Sequence, residues 1–166
     1  MTDVVPVMTD VEEEVSSLEK LAKIVIAYLL ACALVSLFIG ASALSEPSIN
    51  QLLALSLLGF SGSATAALTS CLDRYSNGFE LDNGNCYPVE ATGGKFNKRF
   101  SAWFIVRPFL GAIVAPVFLW GLSLFGDNID SFTDGKVLGF TAFMAGLLAK
   151  SVLELIKNLF KNVFRS

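Results

Sequence analysis

The chain is 166 residues long, 54% hydrophobic and free of histidine, with 12 basic and 15 acidic side chains for a formal net charge of −3. That balance excludes a polybasic nucleic-acid binder, and the missing histidine removes the usual proton shuttle and the commonest metal ligand. With a mean hydropathy of +0.62, the composition implies one membrane domain with short extensions, because no soluble core of this size needs such long charge-free apolar runs.

Residues 1–20 form an acidic segment carrying Asp3, Asp10, Glu12, Glu13, Glu14 and Glu19. It is unlike the basic n-region of a signal peptide, so the first apolar run is expected to stay in place as a membrane helix. Thr9 and Glu12 have capping-box spacing, and Val11, Val15, Leu18 and Ala22 recur at helical intervals. The expectation is a short amphipathic helix, limited upstream by Pro6, that continues into the first span.

Four apolar runs follow, at about 21–44, 49–72, 100–125 and 137–157. Crossing a ~30 Å hydrocarbon core takes about 20 helical residues, and lipid admits only helices or closed barrels. The fold expected is therefore all-α, a polytopic membrane protein with four transmembrane helices as two antiparallel hairpins and amphipathic helical ends. Ser45-Glu46-Pro47-Ser48 breaks the first hairpin, since proline disfavours helix in the residue before it.

In the second run Gly59, Ser63, Ala67 and Cys71 repeat every four residues, with Gly62 beside them. Such a seam lets another helix backbone approach closely, or lines a path. The loop 73–99 carries turn signals at Asn77-Gly78, Asn83-Gly84 and Gly93-Gly94, and Phe79-Glu80-Leu81 with Cys86-Tyr87 predicts a short hairpin about the second. Asp82, Asn83 and Asn85 lack the spacing and terminal glutamate of a calcium loop.

The third run places Arg107-Pro108 about two turns in from its start. An intramembrane arginine is a candidate for gating or pairing, and Asp73, Glu80 and Glu154 are its candidate partners, or it snorkels to the headgroups. Gly111 and Ala115 continue a small-residue seam, while Trp103 and Trp120 fit interfacial anchors. The fourth run opens after Asp134-Gly135 with Gly139, Ala142, Ala145 and Gly146. Beyond it Lys150, Glu154, Lys157, Lys161 and Arg165 share one helical face, so 159–166 reads as a basic amphipathic end on the membrane surface.

Basic residues favour the N-terminus, the 73–99 loop and the C-terminus, whereas the two short turns carry Glu46, Asp127, Asp130 and Asp134 against Lys136. The positive-inside rule then puts both termini and the loop on the cytoplasmic side of the membrane. Cys32, Cys71 and Cys86 are too dispersed for a metal motif or a disulfide framework.

Residues 59–72, Arg107-Pro108-Phe109-Leu110-Gly111-Ala112 and Ala142-Phe143-Met144-Ala145-Gly146 resemble a group of small bacterial four-span membrane proteins. That group has a glycine/serine-rich second helix, an Arg-Pro-x-x-Gly-Ala third and a Phe-x-Ala-Gly fourth. The resemblance implies the architecture over roughly 50–155 and brings no activity with it. After Gly146 this chain departs, with Leu147-Leu148-Ala149-Lys150 where a charged stretch is expected.

No Gly-x-Ser-x-Gly elbow or phosphate-cradling loop is present, and Gly62-Ser63 has no histidine base, so no enzymatic activity and no cofactor are expected. The function expected is a small self-associating membrane subunit or scaffold that engages a protein partner or the lipid bilayer on the cytoplasmic side. The alternative is a homo-oligomeric channel with Arg107 and the hydroxyl-bearing face of helix 2 along its path.

Overall fold

A computed structural model of the chain describes residues 5–45, 51–90, 93–125 and 134–154. Helix α1 (Val5–Ser45) and helix α2 (Gln51–Ser76) are followed by the strands β1 (Phe79–Glu80) and β2 (Cys86–Tyr87), then helix α3 (Lys98–Phe125) and helix α4 (Gly135–Leu147). The chain is mostly helical, and three helices are long and apolar enough to cross a bilayer: Val11–Leu44, Gln51–Ser76 and Lys98–Leu122. Helix α4, with 13 residues, spans only ~20 Å at ~1.5 Å per residue. Asp134 caps its start, its carboxylate accepting from the Lys136 amide at 3.0 Å. Leu148 then leaves helical dihedrals (φ −93°, ψ 11°), and helix resumes over 149–154.

The expected cap at Thr9 is not used. Helix α1 already runs from Val5, so Thr9 sits in its interior and 41 residues form one rod of ~60 Å. The physical reason is phase: Leu18 and Ala22, both buried, continue the stripe of Val25 and Leu29 without a break. Pro6 falls in the first turn, where its missing amide costs nothing.

Helix α2 is the hub and packs against each of the other three. Along α1 the contacts step in the opposite sense: Gly40 lies on Leu58, Ser61 donates to the Ala33 carbonyl at 2.8 Å, and Val25 and Leu29 cluster with Ala67 and Cys71. A second cluster joins Leu55 and Leu58 to Ala115 and Leu119 of α3 and to Ala142 and Ala145 of α4. The outward faces stay apolar, with Ile24, Leu34, Phe38, Ile113, Trp120 and Phe140 exposed. Water would penalise that surface, whereas hydrocarbon would not.

One end of the bundle carries a folded polar head. The hairpin pairs Phe79 with Tyr87 and Glu80 with Cys86 about the Asn83-Gly84 turn, where Gly84 has φ +82°. Asn83 is occupied in this turn, its carbonyl Oδ1 accepting from the Asn85 amide at 2.9 Å. Phe96, fully buried, bridges Phe79 and stacks on Phe104 of α3 with ring centroids 6.4 Å apart. The Arg74 guanidinium lies 3.9 Å over the Phe100 ring and donates to the Lys95 carbonyl at 3.2 Å. The protruding part of α1 reaches the same head, where Glu14 accepts from the Asp82 amide at 2.6 Å.

Candidate functional site around Arg107

The small residues singled out in the sequence meet at one junction. A Cβ built on Gly59 would overlap Ala115 Cβ and stand 2.5 Å from the Gly111 carbonyl oxygen, both on α3. One on Gly111 would overlap the Gly59 carbonyl oxygen and Ser63 Cβ. From the other side Gly146 of α4 lies directly on the Gly59 carbonyl, and Gly62 lies on that of Phe143. Three backbones are thus brought together around Gly59. Ala67 is fully buried too, but in the other cluster, with Ala22, Val25 and Leu29 of α1 and Phe104 of α3.

The hydroxyls of this region are all engaged within the chain. Ser63 donates to the Arg107 carbonyl at 2.8 Å, tying α2 to α3 beside the buried Pro108. Ser61 reaches α1, while Thr65 and Ser70 donate to the carbonyls of Ser61 and Ala66 four residues back. Ser61 and Ser63 are buried within this packing, whereas Thr65 and Ser70 are half-buried.

Arg107 sits one turn inside Trp103, ~6 Å along α3. Its Nη1 donates to Ser70 Oγ at 3.2 Å, so its polar partner is a hydroxyl of α2 and not one of the three expected carboxylates. Glu80 is drawn away by Asn97, which donates to it at 3.0 Å, and Asp73 lies exposed beyond Ser70. Glu154 does come near Arg107, across a cleft of about 180 Å³ between α3 and residues 149–154. Trp103, Leu110, Ala149 and Leu153 give it apolar walls, and Arg107, Lys150 and Glu154 supply its charges. Among the described residues the ion pairs are Lys23–Glu19 and Lys98–Asp82, so these three charged groups do not pair.

The expected membrane-surface residues Lys157, Lys161 and Arg165 lie outside the described residues, as do the turns 46–50 and 126–133. Sequence reasoning missed Ser70 as the partner of Arg107, and Lys150 and Trp103 as walls of its cleft. The four-residue spacing Trp103–Arg107 and Lys150–Glu154 was the available signal.

Comparison with protein-family models, curated proteins and solved structures found no match.

Proposed function

We propose that this chain is an integral membrane protein of four spans, two antiparallel helical hairpins in a bacterial inner membrane, with both termini and the 73–99 loop cytoplasmic. It acts as a small non-enzymatic membrane subunit that presents its polar head to a partner. The fourth span is α4 together with 149–154, which reaches the ~20 residues a bilayer needs. Supporting the orientation, Lys20, Lys23, Arg74, Lys95, Lys98 and Arg99 all belong to the end that carries the head.

The observation that carries this reading is the closed junction at Gly59, which leaves a compact bundle with a folded head at one end. Because Gly59, Gly62, Gly111 and Gly146 are covered inside a single chain, they are not free to join copies. Self-association would have to use the outer apolar faces instead. On the head, Tyr87 and Val89 are exposed apolar side chains that a partner docking there would cover. The alternative, a homo-oligomeric channel, would run between copies, because Ser61 and Ser63 of α2 are buried against α1 and α3 within the chain.

Cys86 tests the placement. In inverted inner-membrane vesicles a membrane-impermeant maleimide should label Cys86, which is part-exposed in the head, and should leave it unlabelled in intact spheroplasts. Labelling from the outer side would overturn the orientation. Steady single-channel conductance from purified protein in planar bilayers would replace the subunit reading with the channel.

A further inference from the structure

We infer that the cleft between α3 and residues 149–154 binds the phosphate group of an anionic lipid from the cytoplasmic leaflet. This rests on the membrane placement proposed above. Two cations, Arg107 and Lys150, face one carboxylate, Glu154, so the cleft holds a net positive charge. Among the described residues one guanidinium donor of Arg107 is engaged, on Ser70, which leaves the rest for an anion. Ser70 in turn spends its proton on the Ala66 carbonyl, so its oxygen accepts from Arg107 and fixes the guanidinium in place.

The walls select the source of the phosphate. Leu110, Ala149, Leu153 and the Trp103 ring are apolar, and they suit an acyl chain below a headgroup better than a hydrated free ion. Trp103, 45% exposed, stands one turn nearer the head, at the level where aromatic side chains meet the headgroups. The cleft's 180 Å³ exceeds the ~150 Å³ in which an engineered cavity holds benzene. Basic pockets between spans on the cytoplasmic side take anionic headgroups by this chemistry.

The test uses the full chain with Trp120→Phe, which leaves Trp103 as the one tryptophan. The protein is reconstituted in phosphatidylcholine vesicles with increasing brominated phosphatidylglycerol, and quenching of Trp103 gives the relative affinity of the two lipids. One net charge near the surface corresponds to a preference of roughly fivefold for phosphatidylglycerol. Lys150→Gln, at an exposed position, should abolish it, as should Arg107→Gln, whereas Glu154→Gln should raise it roughly fivefold further. A structural role alone would not give opposite signs for Lys150→Gln and Glu154→Gln. Equal quenching by both lipids in the parent would overturn the lipid site while leaving the membrane placement intact. No quenching by brominated phosphatidylcholine either would refute the placement itself. Loss of the preference in millimolar inorganic phosphate would assign the cleft to the free ion and overturn the lipid as its source.

Discussion

Gly59→Ala tests the α2–α3 junction directly. The added Cβ would overlap Ala115 Cβ and stand 2.5 Å from the Gly111 carbonyl oxygen, where 3.4 Å begins ordinary contact, so α3 must retreat by about 1 Å. The obstacles are an alanine Cβ and a backbone carbonyl, neither of which can rotate out of the way. A shift of that size also stretches the 2.8 Å bond from Ser63 to the Arg107 carbonyl past useful length. Overpacking of this kind costs about 1–3 kcal/mol and the lost interhelical hydrogen bond about 0.6, so roughly 3 kcal/mol is expected. Gly121→Ala is the matched control: nothing lies within 4 Å of its Cβ, and better helix propensity should make it neutral or slightly stabilising. Unfolding in mixed micelles titrated with sodium dodecyl sulfate, followed by far-UV circular dichroism, measures both. If the two variants unfold within about 0.5 kcal/mol of one another, the glycine junction does not hold the bundle together. Gly59→Ala and Gly111→Ala combined should cost less than their sum, because each displaces the same backbone contact between α2 and α3.

Ser61→Ala removes the buried hydroxyl that bridges α2 to the Ala33 carbonyl and should cost only about 0.6 kcal/mol in the same unfolding assay. Phe96→Ala empties the fully buried site against Phe104 and should cost about 3–5 kcal/mol. Hydrogen exchange should show the loss in 78–97 first, with the α2–α3 contact around Gly59 still protected. Arg74→Ala deletes both the contact with the Phe100 ring and the bond to the Lys95 carbonyl. It should speed amide exchange at Lys95 and Phe96 by roughly tenfold or more, and unchanged exchange would show that the head is held by its phenylalanines alone.

The first three apolar runs determined their helices by themselves, because in hydrocarbon a segment of that length and composition has no other way to satisfy its backbone groups, whereas the fourth, expected over 137–157, leaves helical dihedrals at Leu148. The four-residue repeat Gly59, Ser63, Ala67 was legible as a face of close approach, and Asn83-Gly84 as a turn. Which helix meets each small residue was not legible. Periodicity fixes a face but not its partner, and α2 divides its small residues among three neighbours, Ala67 in the cluster with α1 and Phe104 of α3, Gly59 toward α3 and Gly62 toward α4. The same limit hid Ser70 as the partner of Arg107, since three carboxylates offered stronger charge complementarity along the chain than a hydroxyl did. Only the packing of α3 on α2 decides that Ser70 is within reach and that Glu80 is taken by Asn97. The order of the 73–99 loop likewise belongs to tertiary structure. Its phenylalanines have no local periodicity, and they become a core only where α1, α2 and α3 converge above the bundle.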